Sequence, residues 1–242
     1  MANTAKIMPG NNGVSMKNSA ELPTVRAGAS LTAALAIQIR AEILQGSYPP
    51  GSKLRLDDLR LQYAVSLSPL REALTRLTAE GLVQTTDHRG YRVAPVSVEN
   101  LCEVTTLRTQ MEVMAMTESI RQGDDDWEDA LTAAYYRLAR LEKKGERSDK
   151  WEQTHRVFHL ALFSSCNMPL LLRFCGMLHD LSDRYRRLFL AHHRPDKKVP
   201  AEHKAIFEAA IARNETLAAQ ILTQHIQRTG LNVKAILAEK KS

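Results

Sequence analysis

The chain has 242 residues, which is enough for two domains that each bury a core of their own. Its formal net charge of +6 favours a polyanionic partner, and its three cysteines form no Cys-x-x-Cys pair, which argues against a zinc finger or a disulfide scaffold and fits a reducing cytoplasm. Because we find neither a signal peptide nor an apolar run long enough for a membrane span, the sequence predicts a cytoplasmic protein without a membrane partner.

The N-terminal part begins with a segment that lacks any periodicity. Residues 1–28 are rich in Asn, Gly, Ser and Ala, and we expect a disordered tail there. A short helix is predicted further on, with Asp57 as its N-cap and with Leu59 and Tyr63 as an apolar i, i+4 pair.

A second helix is predicted to follow after a tight turn. Ser68 is a candidate N-cap, Pro69 suits the first helical position, and Gly81 suits a left-handed C-cap. The apolar residues at helical spacing, which we expect to be buried, are Leu70, Ala73, Leu74 and Leu77. The opposite face carries residues that can reach a phosphate or a base edge: Arg71, Thr75 and Arg76. The two helices predict a helix-turn-helix whose second helix lies in the major groove.

A β-hairpin is predicted directly after this helix pair. Residues 82–86 and 91–94 have the pattern of two short strands, and the sequence Asp87-His88-Arg89-Gly90 joins them. Gly90 allows a tight bend, and Arg89 lies at its tip. The hairpin is therefore interpreted as the wing of a winged helix.

Three segments carry a specific motif: Gly46-x-x-x-Pro50-Gly51-x-x-Leu54, Ser68-Pro69-x-Arg71-Glu72-Ala73-Leu74-x-x-Leu77-x-x-Glu80-Gly81-Leu82-Val83, and Arg89-Gly90-x-x-Val93. The motif resembles the winged helix of the GntR family of bacterial transcription regulators. The resemblance covers about residues 30–95 and implies a DNA-binding domain, which we place at residues 29–95, with a double-stranded operator as its partner.

The resemblance also implies a set of DNA-contacting residues: Arg55, Ser66, Ser68, Arg71, Arg76, Arg89 and Gly90. Many members of the family carry a base-contacting Arg where this chain has Leu67. That departure leaves Arg71 and Arg89 as the best candidates for base contacts, while Arg55 and Arg76 are expected on phosphates.

From Ser97 onward the strand signals vanish, and residues 96–240 predict an all-α bundle. The apolar stripe of its first helix is Leu101, Val104, Leu107, Met111 and Met114, and later helices are predicted at 125–143, 149–166, 168–192, 198–213 and 215–238. Ser97 and Asp149 are candidate N-caps, and Asn214 caps or links the last two helices. The expected fold is mainly α, an N-terminal winged helix-turn-helix followed by an all-α bundle in which facing helices can build a site.

Four histidines are the sharpest chemical feature of the bundle. His155 and His159 lie four residues apart on one helix and point the same way, as metal ligands on a helix must. His203 and His225 are flanked by apolar residues at helical spacing, so both can face the interior. Four converging imidazoles would bind a divalent ion such as Zn²⁺ or Ni²⁺. The alternative is four separate histidines, each hydrogen-bonded or exposed.

Several residues of the bundle carry a second motif: Arg108-x-x-x-Glu112, Phe158-His159, Asn167, His203 and His225. This motif resembles the FCD effector domain of the FadR subfamily. The resemblance implies a buried metal, commonly held by one Asp or Asn and three His, that helps to bind a small carboxylic acid, although some relatives bind their effector without metal. The matching positions are His155, His159, His203 and His225, with His155 where the family usually has Asp. A neutral ligand there leaves more positive charge on the metal, which strengthens its attraction for an anionic effector.

Arg108 is the main candidate for binding the carboxylate of the effector, because a bidentate Arg–carboxylate pair is the geometry that such an acid would use. The alternative is a surface Arg108 paired to Glu112 at i+4. Weaker candidates for the same role are Asn167, Arg184, Arg186 and Arg187. Two of these three arginines are expected on a solvated face.

Enzyme motifs are missing from the sequence. Glu152-x-x-His155 resembles half of a di-iron motif, but we find no second Glu-x-x-His, no His-Glu-x-x-His and no P-loop. The sequence therefore predicts a homodimeric, ligand-responsive transcription regulator, most simply a repressor, with a hinge near Pro95. The alternatives are a metal-dependent helical-bundle enzyme and an architectural DNA-binding protein with an inert dimerisation module.

Overall fold

The computed structural model describes residues 31–86, 90–145, 148–190 and 196–239. These residues form, in chain order, α1 (Leu31–Leu44), β1 (Lys53–Leu54), α2 (Leu56–Tyr63), α3 (Leu67–Ala79), β2 (Val83–Thr86), β3 (Gly90–Val93), α4 (Val98–Gln122), α5 (Asp125–Glu142), α6 (Asp149–Leu162), α7 (Pro169–Leu190), α8 (Lys198–Ile211) and α9 (Glu215–Glu239). The predicted tail and Arg89 lie outside the described residues. None of the described helices combines the length and apolar character that a membrane span requires.

The first part of the chain is a winged helix, as predicted. Helices α1, α2 and α3 pack on a small antiparallel sheet of order β1-β3-β2, in which Lys53 pairs with Arg92 and Val83 with Val93. The apolar face of α3 is fully buried, as its spacing indicated. Helix α1 and strand β1 were not predicted, since β1 has only two residues and α1 is apolar on several faces.

The start of α3 differs from its prediction. The helix begins at Leu67 with Ser66 in the N-cap position, so Ser68 lies in the first turn and is not the cap. Pro69 lies one step further into that turn, where an N–H would still lack an intrahelical partner. The end of the helix is as predicted, because Gly81 follows it with a φ of +76°.

Two acidic residues that were predicted as N-caps lie in the first turn instead. Arg55 precedes α2 in the N-cap position, so Asp57 is not the cap. Ser148 caps α6, and its Oγ accepts a hydrogen bond from the Trp151 backbone at 3.2 Å, so Asp149 is not the cap either. Acidic residues stabilise both the cap and the first turn, which is why the pattern could not separate the two positions.

The second part is a bundle of six helices, α4 to α9, as predicted. Ser97 caps α4 through a hydrogen bond from the Asn100 backbone, and Asn214 caps α9 through one from the Leu217 backbone. Two expectations were wrong. Met114 is exposed, and α6 ends at Leu162 and not at residue 166.

The error at Met114 has a direct cause in the face that α4 buries. This face continues from Leu101 and Val104 through Arg108 and Glu112 to Met116, so two charged residues occupy its middle. Because apolar periodicity counts only apolar residues, it indicated a neighbouring stripe that ends at Met114.

Helix α7 joins the two parts. Leu181 packs on the winged-helix core and lies 3.7 Å from the position that a Cβ at Gly81 would take. The Arg184 guanidinium donates a hydrogen bond to the carbonyl of Ala94, directly before the predicted hinge at Pro95. Asp180 forms an ion pair with Arg156 of α6 at 2.6 Å and lies 3.8 Å from Arg40 of α1.

Candidate functional site

Several of the predicted DNA-contacting residues lie on α3 or at its start. Arg71 is half-buried and Thr75 is exposed, and the Thr75 hydroxyl donates to the Arg71 carbonyl at 2.8 Å. Ser66 and Ser68 are exposed at the start of the helix, and within the described residues the Ser66 side chain accepts no capping hydrogen bond. The first-turn N–H groups are therefore available to an anion such as a phosphate.

The remaining predicted DNA-contacting residues occupy three different places. Arg55 is exposed at the N-cap position of α2. Arg76 is exposed near the end of α3, where it lines a groove of about 920 Å³ between the winged helix and α7. Gly90 opens β3 opposite Thr86, and a Cβ at this position would lie 2.6 Å from the Thr86 hydroxyl. The Thr86 side chain would therefore have to shift to admit a larger residue at the base of the wing.

The four predicted histidines lie together in the interior of the bundle. His155, His159, His203 and His225 are all buried, and each has a ring nitrogen within 4.8 Å of one from every other member. We call these four residues the histidine cluster. The alternative of four separate histidines is wrong.

Two carboxylates orient the rings of this cluster. The Glu142 carboxylate accepts a hydrogen bond from His203 Nδ1 at 2.7 Å, and the Glu202 carboxylate accepts one from His225 Nδ1 at 2.8 Å. Each bond leaves the Nε2 lone pair free, and His203 Nε2 is a buried atom without a hydrogen-bond partner among the described residues. Carboxylate–histidine pairs of this kind hold metal-binding imidazoles in proteins, so these residues fit a divalent metal ion.

A second group adjoins the cluster through His159. It consists of Glu112, His159 and His179, whose possible ligand atoms also lie within 4.8 Å of one another. His179 was not among the predicted site residues. The spacing of His179, Asp183 and Arg186 on α7, by four and then three residues, was the available signal that these side chains share a face.

Arg108 is buried beside this second group and is paired with Glu112. Its Nε donates to Glu112 at 2.6 Å, and other nitrogens contact Ser182 at 3.1 Å and His179 Nδ1 at 3.3 Å. The surface alternative is therefore wrong about the location of Arg108 but right about its partner.

Arg186 is the second buried guanidinium. Its Nη2 lies 3.1 Å from Glu152, 3.0 Å from Asp183 and 3.3 Å from His155 Nδ1. Arg184 is buried as well, and Arg187 is paired with Asp183 and Asp149. The expectation that two of these arginines face solvent is wrong, because the side chains meet neighbouring helices and the end of the winged helix.

Burial disfavours the charged form of His155, His159 and His225. It lowers the pKa of His155 and of His159 well below the usual value, and the charges of Arg186 and Arg108 add to the effect. Burial also lowers the pKa of His225 to about 4, although the bond to Glu202 opposes it. Neutral imidazoles are the form that binds a metal ion.

Two predicted effector-binding residues lie elsewhere. Asn167 is exposed in the turn between α6 and α7, where its amide donates to Gln122 at 2.7 Å. Arg184 contacts Ala94 at the junction of the two parts, and burial lowers its pKa to about 10. The structure brings neither residue into the histidine cluster.

A narrow cavity of about 10 Å³ lies beside the cluster, and Arg108, His155, Arg186 and His225 are among its walls. This volume admits about one water molecule or ion. A carboxylate effector therefore requires the surrounding side chains to move apart.

Comparison with known proteins agrees with both parts of the chain. Residues 31–93 match the model of bacterial regulatory proteins of the gntR family, and residues 103–228 match the FCD domain. The uncharacterized HTH-type transcriptional regulator BphR of Paraburkholderia xenovorans is 36% identical over 203 residues, which cover 82% of this chain and 83% of that protein. The HTH-type transcriptional repressor GlaR of Escherichia coli is 33% identical over 197 residues, 78% of this chain and 89% of that protein.

Solved structures show the same fold. The structure of E. coli McbR/YncC has a TM-score of 0.74 at 22% sequence identity, covering 88% of this chain and all 100% of that one. The matched families and the similar proteins are transcription regulators and not enzymes. The chain therefore belongs to the GntR family of bacterial regulatory proteins, as a DNA-binding transcription regulator with a C-terminal FCD domain.

Proposed function

We propose that this regulator is a cytoplasmic homodimeric repressor whose operator affinity is set by a small carboxylate and a divalent metal ion in the histidine cluster. Residues 29–95 bind the operator, and residues 96–240 bind the effector and the second subunit. The similar protein GlaR is named a transcriptional repressor, and this name supports repression as the direction of regulation. Two winged helices in one dimer suit an inverted repeat.

The DNA half of the proposal is supported by the exposed start of α3. Arg71 makes base contacts from this helix, and Ser66 and Ser68 bind phosphate next to the uncapped first turn. Arg55 adds a phosphate contact from the start of α2. Arg89 and Gly90 belong to the wing, and the contribution of Arg89 stays a prediction because it lies outside the described residues.

The sensing half is supported by the donor set of the cluster. His155, His159, His203 and His225 would hold the divalent ion, with Zn²⁺ and Ni²⁺ as the ions that imidazole ligands favour. The bound ion supplies a Lewis-acid attraction for a carboxylate oxygen. Arg108, whose Nε binds Glu112, is part of the wall of the cavity beside the cluster and adds positive charge that favours the carboxylate.

The observation that carries the proposal is that α7 contacts both functional regions. One face of α7 carries His179, Asp183 and Arg186 beside the histidine cluster. The adjacent face carries Leu181 and Arg184 on the winged helix. A ligand that moves α7 therefore changes how the DNA-binding part is held, and operator affinity shifts by the difference in its binding energy to the two arrangements.

The decisive experiment begins with selection of the operator from genomic fragments by the purified full-length protein. The operator Kd is then measured by fluorescence anisotropy with Zn²⁺, with a chelator, and with a panel of small organic acids. We expect one metal–acid combination to change the operator Kd by at least about fivefold. An operator Kd that stays constant under every condition would support the architectural alternative.

A further inference from the structure

We infer that the groove between the winged helix and α7 is a second ligand site, which binds an amphipathic organic anion through Arg76 of α3 and Arg173 of α7. We call it the junction groove, and its apolar wall consists of Leu170, Phe174 and Met177 of α7. The junction groove shares no residue with the histidine cluster or with the cavity beside it. The inference therefore goes beyond the function proposed above.

The first observation is the balance of charge in the junction groove. Four arginines and two carboxylates are among the described residues that line it. Each carboxylate already binds an arginine of the groove, because Glu80 accepts a hydrogen bond from Arg40 at 2.9 Å. Asp180 likewise accepts one from Arg156 at 2.6 Å. Two of the four guanidinium groups are therefore left without a carboxylate of the groove.

These two groups are Arg76 and Arg173, which come from different parts of the chain. Arg76 lies in the last turn of α3, and Arg173 lies near the start of α7. Within the part of the chain that the structure describes, neither side chain forms a hydrogen bond or an ion pair. Guanidinium groups bind carboxylate and phosphate oxygens through several N–H donors at once. An acid group in the junction groove would thus be attracted by both the winged helix and the bundle.

The second observation is the apolar wall beside these charges. Leu170, Phe174 and Met177 are spaced by four and then three residues on α7, so they share one face of the helix. Leu170 is 65% exposed and Phe174 is 39% exposed, although both line a concave surface. Large apolar side chains exposed together in a groove are typical of binding sites, because a ligand that covers them removes apolar surface from water. The ligand therefore has an apolar body next to its acid group.

The size of the junction groove favours a small molecule as its occupant. Its volume of about 920 Å³ lies within the range of about 300–1,000 Å³ that is usual for small-molecule sites. The N-terminal residues of this chain are a poor alternative, because residues 1–30 carry Lys6, Lys17 and Arg26 against one acidic residue, Glu21. A segment of positive net charge is repelled by uncompensated arginines. The charge of the groove therefore selects a separate, negatively charged ligand.

The first test titrates the full-length protein with anilinonaphthalene sulfonate, an apolar ring system with one acid group, whose fluorescence increases in an apolar site. The matched probe is phenylnaphthylamine, which has the same rings without the sulfonate. We expect the Kd of the anionic probe to rise by at least about fivefold in Arg76→Gln and in Arg173→Gln, and that of the uncharged probe to change less than about twofold. An unchanged Kd of the anionic probe in either variant, or a wild type that does not bind it, would overturn the inference.

The control for this test is Arg137→Gln, which removes an exposed arginine of α5 outside the junction groove. We expect it to bind both probes as the wild type does. Loss of structure cannot imitate the expected result, because a partly unfolded variant binds more of the anionic probe and not less. A Kd that rises equally in Arg137→Gln would show a general effect of net charge and would overturn the inference.

The second test examines the apolar wall with two leucines of equal exposure. Leu170 of α7 and Leu231 of α9 are each 65% exposed, and Leu170 alone lines the junction groove. We expect Leu170→Asn to raise the Kd of both probes by at least about threefold, because a ligand body loses an apolar contact, and Leu231→Asn to leave both values unchanged. Equal effects of the two substitutions would contradict a site in this groove.

The third test separates the junction groove from the histidine cluster and identifies the acid group. The titration with the anionic probe is repeated with Zn²⁺ and with a chelator, and we expect the two Kd values to agree within about twofold, because the two sites share no residue. A Kd that depends on Zn²⁺ would place the probe in the cluster and overturn the inference. Displacement of the probe by naphthoate or by naphthyl phosphate shows whether a carboxylate or a phosphate is preferred, and displacement by neither would overturn a general anion site. An operator Kd that ignores metal and acids would refute the proposed function and leave these results intact.

Discussion

At the scale of single residues, the chemistry of a buried histidine depends on the neighbour that its Nδ1 contacts. His203 meets Glu142 and His225 meets Glu202, so both rings turn a lone pair toward the centre of the cluster. His155 Nδ1 instead lies 3.3 Å from a guanidinium nitrogen of Arg186. The rings of one cluster therefore have different polar neighbours.

The importance of these carboxylates can be measured. Glu142→Gln should weaken the binding of Zn²⁺ by about 10- to 100-fold, because the neutral amide no longer stabilises the imidazole that binds the metal. Competition with a chelating dye gives the Zn²⁺ Kd. The control is Glu208→Gln, an exposed carboxylate on α8 that pairs with Lys204 and lies apart from the cluster. An unchanged Kd for Glu142→Gln would mean that His203 does not bind the metal.

Specificity for DNA should depend on one side chain of α3. Arg71→Ala is expected to weaken binding of the selected operator by about 1–3 kcal/mol and to relax sequence preference at one base pair. Arg76→Ala is the matched change, and its loss should be smaller and equal for all sequences, because this side chain lies near the end of α3 beside the groove. Anisotropy titrations with operator and with scrambled DNA distinguish the two. A uniform loss for Arg71→Ala would remove it from base recognition.

At the scale of elements, the bundle depends on how closely α4 and α9 approach each other. A Cβ at Gly230 of α9 would lie 2.7 Å from the Thr105 hydroxyl and 2.8 Å from its methyl group. Thr105 cannot turn away freely, since its hydroxyl donates to the Leu101 carbonyl at 2.7 Å. Glycine is therefore required here by packing and not by backbone conformation.

This packing predicts opposite effects for two helical glycines. Gly230→Ala should lower the free energy of unfolding by about 1–3 kcal/mol, because the overpacking outweighs the higher helix propensity of alanine. Gly176→Ala on α7 meets only the end of Arg156 at 3.9 Å and should raise that free energy by up to about 1 kcal/mol. Chemical denaturation measures both. A stabilising Gly230→Ala would show that the two helices are further apart.

At the scale of the whole molecule, α7 determines whether the cluster and the winged helix respond together. Arg184→Gln should remove the contact with the Ala94 carbonyl and leave both parts folded. We expect the difference in operator Kd between Zn²⁺-loaded and chelated protein to shrink by at least about half. The control is Arg137→Gln, an exposed arginine of α5. A full response in Arg184→Gln would locate the coupling in another contact.

The neutral histidines also set the pH dependence of stability. The folded-state pKa values of His155, His159 and His179 are lowered by burial and by nearby guanidinium groups, and that of His225 is about 4. The unfolded chain therefore takes up protons below about pH 6.5 that the folded protein does not, so stability falls as the pH decreases. Burial raises the pKa of Glu152 to about 7, so between about pH 7 and 4.5 this carboxyl makes stability rise as the pH decreases. Its contribution is outweighed, because one carboxyl acts against four imidazoles.

We expect the free energy of unfolding of the metal-free protein to fall between pH 7 and pH 5.5, by at most about 1.4 kcal/mol per histidine for each pH unit. Denaturant titrations with chelator across this range give the free energy of unfolding and the number of protons taken up. His179→Gln should reduce that number by about one. A free energy of unfolding that stays constant or rises toward pH 5.5 would contradict this prediction, because the buried imidazoles would then be protonated in the folded protein already.

Local pattern alone determined most of the architecture. The spacing of Leu70, Ala73, Leu74 and Leu77, followed by Gly81, was enough to predict α3, and the pair His155 and His159 was enough to indicate an inward-facing site. Such features depend on neighbours within one helix turn, and that information is present in a short window of sequence. Helix starts were less certain, because Ser66 and Ser68 are equally suitable caps.

Only the tertiary structure decided the partners of the buried charges. Glu142 is 61 positions from His203, and Arg186 is 31 positions from His155, so no local period connects them. The apolar stripe of α4 was misjudged for the same reason, since Arg108 and Glu112 are buried only because α7 supplies Ser182 and His179 to meet them. A charged side chain enters a protein interior when a distant residue compensates its lost hydration, and the fold brings that residue into place.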